Sequence, residues 1–151
     1  MSETEPATTG SLRTIWLKRF HGGPMDPVTE GALVAGRGLE GDANFGSKRE
    51  VTLVDWERWQ EAQARLGAEV NPAARRANLL LSGVKLVESR DRVLRIGAAR
   101  LRILGETRPC NLMDEMHQGL KTELQADWGG GAYAEVLDGG VIRPGDAAAW
   151  E

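Results

Sequence analysis

Apolar and polar positions alternate in short runs along this chain, and glycine or proline separates one run from the next. Ser11 to Phe20 (SLRTIWLKRF) has Ile15 and Leu17 on one face and predicts a first strand. His21 to Pro27 predicts a loop, and Val28 to Gly36 a weakly alternating second strand. Val51-Thr52-Leu53-Val54 is a β-branched strand signal. Asp55 is placed to cap a helix in which Trp56, Trp59, Gln63 and Leu66 share a face and which Gly67 ends. Leu79-Leu80-Leu81 predicts a buried strand. Val84 to Ile96 and Ala99 to Leu104 predict two more, joined at Gly97-Ala98.

Asn111 to Ala126 predicts a helix capped by Asn111, with Gly119 as a candidate break. Ala132 to Leu137 predicts a strand. Asp138-Gly139-Gly140 is a hairpin signal with a return strand at Val141-Ile142. Ala147 to Trp150 closes the chain. Many short strands, glycine turns and two modest helices predict a mainly β (α+β) domain, a barrel with helices over its openings. Met1 to Gly10 is polar and predicts a disordered tail, which leaves residues 11–151 as a single domain.

Composition narrows the function classes. Nineteen Lys plus Arg against 22 Asp plus Glu give a net charge of −3, which gives no reason to expect nucleic acid or a membrane surface. The start of the chain has no basic residue and no apolar run, so it does not read as a signal peptide. No stretch has the length of apolar sequence a bilayer requires. One cysteine cannot form an intramolecular disulfide, and a cytoplasmic location is expected.

That cysteine, Cys110, follows Arg108 and Pro109 and precedes the predicted helix. A nearby cation favours the thiolate, which is the nucleophile and metal ligand. The competing reading is a small buried hydrophobe. Gly36 to Gly46 (GRGLEGDANFG) is a glycine loop whose backbone could approach a ligand, or a plain turn; it lacks the Walker lysine pattern. Arg75-Arg76-Ala77-Asn78 could present guanidinium forks to phosphate or carboxylate. The alternative is that both arginines are solvated or paired with Asp42 or Glu50. Gly129-Gly130-Gly131 implies a tight turn or a close approach. His117 has no second ligand-like residue at a metal-site spacing and reads as solvated or capping.

Several motifs stand in one order: Gly38-Leu39-Glu40-Gly41-Asp42, Arg49-Glu50-Val51-Thr52-Leu53, Arg75-Arg76-Ala77-Asn78-Leu79, Arg108-Pro109-Cys110, Gly129 to Val136, Gly139-Gly140 and Pro144-Gly145-Asp146. This ordered set resembles the MOSC domain, named for the C-terminal part of molybdenum cofactor sulfurases, in its small stand-alone bacterial form. The resemblance runs from about Leu12 to the end of the chain.

It implies a β-barrel in which Cys110 carries sulfur as a persulfide or ligates the molybdenum of a pterin cofactor (molybdopterin), with basic residues near the Gly-Asp and Arg-Arg-Ala-Asn segments holding the cofactor's phosphate; Arg108 is a candidate catalytic residue from its place beside the thiol. The resemblance implies that Asp42, Arg49, Arg75, Arg76, Asn78 and Gly129, Gly130 and Gly131 gather around the cofactor at strand ends. A basic residue common after the Gly-Asp of the first motif is replaced here by Ala43. The activities implied are cofactor sulfuration or, with an electron-transfer protein, reduction of N-hydroxylated compounds. A pyridoxal-phosphate cysteine desulfurase would have to be a separate partner. A non-catalytic carrier or interaction module is the other reading, so whether the chain is an enzyme stays open.

Overall fold

The computed structural model describes residues 9–151. The tail expected over residues 1–10 therefore falls outside them up to residue 8. Gly10 is already in the first strand, pressed so closely on Ser82 that a Cβ would meet its carbonyl oxygen at 2.3 Å.

In chain order the strands are β1 (Gly10–Lys18), β2 (Met25–Val28), β3 (Gly31–Val34), β4 (Gly38–Leu39), β5 (Val51–Asp55) and β6 (Leu79–Ser82). Then come β7 (Val93–Ile96), β8 (Ala99–Glu106), β9 (Ala132–Asp138), β10 (Gly140–Ile142) and β11 (Ala147–Trp150). The helices are α1 (Trp56–Leu66), α2 (Leu112–Met116) and α3 (Leu120–Leu124), with a 3-10 turn over Pro72–Arg75. Seven strands close a barrel in the order β1-β11-β7-β8-β9-β5-β6, since β11 and β6 both pair with β1. β2 extends the wall along the far end of β1, and β10, β3 and β4 form a small separate sheet. The expected β-barrel with a few helices is therefore present. No helix among the described residues is long and apolar enough to cross a membrane.

Two apolar clusters explain the strand patterns. Leu12, Ile15, Leu17, Val51, Leu53, Leu79 and Leu81 fill the barrel. Trp16, Val54 and Leu80, the alternate residues of the same strands, pack outward with Trp59 and Ala62 of α1, Met113 of α2 and Leu120 and Leu124 of α3. Leu79-Leu80-Leu81 is continuously apolar because both of its faces are covered. β5 and β6 run parallel, so the chain must cross over between them, and α1 is that crossover. An eleven-residue helix is marginal alone. Burial of Trp59, worth several kcal/mol by comparison with the ~3–5 kcal/mol cost of truncating a core Trp, holds α1 on the wall. Asp55 caps it as expected, accepting from the Arg58 N–H at 3.1 Å, and Gly67 ends it in the left-handed region.

Four expectations are corrected. The loop at His21 to Pro27 contains most of β2, which Arg76 helps anchor through the Gly23 carbonyl. Only Val93–Ile96 of the strand expected from Val84 is extended; Glu88 and Asp91 have φ of 55° and 70°, which a strand does not tolerate. The helix from Asn111 divides at Gly119 (φ 94°), the break its sequence offers, but Asn111 does not cap it: its Oδ1 accepts from Lys121 Nζ at 2.7 Å. Gly140–Ile142 does not return along β9. It pairs with Gly31–Leu33, an approach that the missing side chain of Gly139 permits, since a Cβ there would meet the Leu33 carbonyl oxygen at 2.4 Å.

Candidate functional site

Cys110 is exposed and lines a cavity of about 230 Å³ together with Lys18, Asn44, Arg49, Thr52, Arg75, Arg76, Ala77, Thr107, Leu112 and Met113. Four cations and no carboxylate line it. This lining makes the cavity locally electropositive in a chain of net charge −3. Leu17 and Leu53 point into the barrel, so their neighbours Lys18 and Thr52 point outward. Ala77 and Met113 belong to the cluster beneath the helices. The cavity therefore lies on the outer wall, at the ends of β1, β5 and β6, and not inside the barrel.

The pair Arg75-Arg76 reaches one cavity through an unusual backbone. Consecutive residues of a strand face opposite ways. Arg76 instead sits at φ 61°, ψ 35°, between the 3-10 turn and β6, and both side chains line the same space. Such a left-handed residue costs about 1–2 kcal/mol. Neither arginine pairs with Asp42 or Glu50. Arg76 Nη2 donates to the Gly23 carbonyl at 2.5 Å. Arg75 Nε donates to the Gly130 carbonyl at 2.6 Å, and its Nη2 to the carbonyls of Thr107 and Arg108 at 3.3 and 3.2 Å. Burial pulls the Arg75 guanidinium below its ordinary pKa; the charge of Cys110 opposes that shift and Arg49 adds to it. Arg49 lies with its guanidinium carbon 4.9 Å from the centroid of the Tyr133 ring.

Of the residues expected to gather, Cys110, Arg49, Arg75 and Arg76 do so. Asp42, Asn78 and Gly129, Gly130 and Gly131 do not line the cavity; they hold the residues that do. Asp42 is buried and accepts from the N–H groups of Lys18 and Asn44 at 2.9 and 3.0 Å, which places those two residues. Asn78, also buried, donates to Asp42 and to the Trp16 carbonyl and accepts from Thr52 N–H. A Cβ at Gly130 would lie 2.2 Å from the Thr107 carbonyl oxygen, so this glycine lets the chain pass the Thr107–Pro109 segment. Arg108 has an exposed side chain outside the cavity; the site uses its backbone carbonyl, which accepts from Arg75, a cation that lines the cavity with Cys110.

Lys18, Asn44, Thr52, Thr107, Leu112 and Met113 are the lining residues that the sequence reading missed. The alternation Leu17-Lys18 and Thr52-Leu53 already puts Lys18 and Thr52 on the outer face, but nothing local says that a second loop closes over them. Ala43 gives the cavity no charge. Its N–H donates to the Lys18 carbonyl at 2.7 Å, and Lys18 itself supplies a cation next to that loop.

Among solved structures, the YuaD protein from Bacillus subtilis superposes with a TM-score of 0.80 at 17% identity, covering 93% of this chain and 94% of that one. YiiM from Geobacillus stearothermophilus gives 0.72 at 19% identity over 94% of this chain and 75% of that one. YiiM from Escherichia coli gives 0.69 at 18% identity over 93% and 69%. At such identities these likenesses show the fold. No curated protein matches the chain. The sequence profile of the MOSC domain matches residues 18–149, nearly the whole described chain, and the protein belongs to the MOSC domain family.

Proposed function

We propose that this MOSC domain binds the molybdenum cofactor in the Cys110 cavity, with Cys110 as sulfur carrier or molybdenum ligand. The observation that carries this reading is the lining itself: four cations, no carboxylate and one exposed thiol. A phosphate-bearing group with a soft metal or a sulfur-accepting centre suits that donor set. Among the described residues no three His, Cys, Asp or Glu cluster to hold a metal ion, and Cys110 is the one thiol at the cavity. The metal would have to arrive with ligands of its own, as it does in a pterin cofactor.

Lys18 and Arg49 would hold the phosphate end in a cavity to which Arg75 and Arg76 add positive charge, and Cys110 would face the metal. When bound, the cofactor supplies redox chemistry at molybdenum. The chain's own residues bind the anion, fix the loop that carries the thiol, and keep carboxylates away. As a sulfur carrier, Cys110 Sγ attacks the outer sulfur of a donor's persulfide. The donor's S–S bond breaks, its thiolate leaves, and Cys110 holds the sulfur without net oxidation. A cysteine desulfurase would be that donor, in the cytoplasm; an electron-transfer protein would be the partner for N-hydroxylated substrates.

Protein purified from a host that makes the cofactor tests this reading by metal analysis and by mass spectrometry under mild conditions. Molybdenum and pterin in the wild type and their loss in Arg49→Ala are expected, or else one extra sulfur on Cys110. Neither molybdenum nor extra sulfur in the wild type would overturn it.

A further inference from the structure

We propose that Arg75 is a positioning residue for Cys110, and that Lys18 and Arg49 are the cations left free to take the anion. This rests on the cavity being an anion site, as proposed above. The sequence makes Arg75 and Arg76 look like a matched pair of anion ligands, and the hydrogen bonds separate them from the other two cations. Arg75 spends Nε and Nη2 on three carbonyls, those of Gly130, Thr107 and Arg108. Arg76 spends Nη2 on Gly23. Lys18 Nζ and the Arg49 guanidinium have no hydrogen bond or ion pair with any described residue, and Arg49 rests on the Tyr133 ring alone.

The three carbonyls held by Arg75 belong to two separate segments that meet behind Cys110. The Thr107 N–H donates to the Gly131 carbonyl at 2.9 Å, and Thr107 Oγ1 donates to the Gly130 carbonyl at 2.8 Å, the same oxygen that Arg75 takes. One guanidinium therefore ties Thr107-Arg108 to the glycine run two residues before the thiol. On the other side, the Met113 N–H donates to the Cys110 carbonyl at 3.0 Å and starts α2. The backbone of Cys110 is thus fixed from both directions, although its side chain is exposed. A planar fork can serve several carbonyls at once; an ammonium is a point charge with no such geometry. Lysine at position 75 would keep the charge of the cavity and lose the tie.

The test follows three quantities in wild type, Arg75→Lys, Arg75→Ala, Arg49→Ala and Lys18→Ala. These are amide exchange of Thr107 and Gly131, alkylation of Cys110 by uncharged iodoacetamide at one pH, and binding of inorganic phosphate. In Arg75→Lys, exchange of both amides is expected to rise about tenfold or more, the equivalent of losing about 1.4 kcal/mol of local protection. Its alkylation rate changes, and its phosphate affinity stays within about threefold of wild type, because the charge remains. In Arg75→Ala, added methylguanidinium restores the wild-type alkylation rate. In Arg49→Ala and Lys18→Ala, phosphate binding weakens about tenfold, the scale of one charge-assisted contact, while amide exchange is unchanged. Wild-type amide protection in Arg75→Lys would overturn the positioning role. So would a loss of phosphate affinity in Arg75→Lys equal to that in Arg49→Ala with the amides still protected. Failure of the wild type to bind phosphate would instead overturn the anion site, while the amide measurements would still decide the role of Arg75.

Discussion

Asn78 Nδ2 donates to Asp42 Oδ1 at 3.0 Å inside the protein, joining two motifs that lie 36 residues apart. The same Asn78 accepts from the N–H and hydroxyl of Thr52 at 3.1 and 3.2 Å. It stands just before β6, where its backbone pairs with Trp16 and Thr52, and its side chain adds hydrogen bonds that join β1, β5 and the Asp42 loop. Asn78→Ala leaves the buried Asp42 carboxylate and the Thr52 N–H each one partner short. An unsatisfied buried group costs about 1–3 kcal/mol, so a loss of at least that size is expected in denaturant unfolding. Stability unchanged in this variant would mean that the Asn78 side chain does not join these segments.

The motifs that make the family legible in the sequence are thus mostly scaffold. Gly-Asp, Arg-Arg-Ala-Asn and the glycine run each mark a real feature, but a motif does not say whether its side chains face a ligand or each other. Asp42 and Asn78 face each other because the register of β1 against β6 brings Trp16 and Asn78 together, a long-range fact. The wall itself was more readable. Leu79-Leu80-Leu81 announces a strand covered on both faces, and the Asp55 and Gly67 signals bound α1 to the residue. The stretch from Val84 to Arg92 misled because its apolar alternation continues through turns, with Glu88 and Asp91 at positive φ.

Gly130→Ala tests the glycine run. A Cβ there meets backbone of the Thr107–Pro109 segment at 2.2 and 3.0 Å, so a shift of main chain is required and no rotamer change relieves it. Overpacking costs about 1–3 kcal/mol. The variant is expected to melt lower and to alkylate at Cys110 with an altered rate. A melting temperature equal to wild type would show that this segment has room the close contacts deny.

Arg108 gives the opposite expectation. Its side chain is exposed and outside the cavity, and only its carbonyl is used. Exposed charges are strongly screened, so Arg108→Ala should leave the alkylation rate of Cys110 within about twofold at physiological salt. A tenfold fall in that rate would return the electrostatic role to Arg108.

Far from the cavity, Glu151 accepts from Arg100 at 2.6 and 2.9 Å and from Arg95 at 3.0 Å. The Arg100 hydrogen bonds, ahead of the Arg95 contact, hold its carboxyl down at about 2. Because the folded pKa lies below the ordinary carboxylate value of about 4.3, ionised Glu151 favours the folded state above that value. The contribution disappears as pH falls from there through about 2. The carboxylate is open to solvent, so its effect is small and screened by salt. Glu151→Gln should therefore flatten the acid limb of a stability profile measured at low salt and leave the shape above pH ~6 unchanged. An acid limb identical to wild type would show that the pair does not persist in solution. A change confined to neutral pH would show that the substitution acts through packing against Arg95 and Arg100 and not through the charge of Glu151.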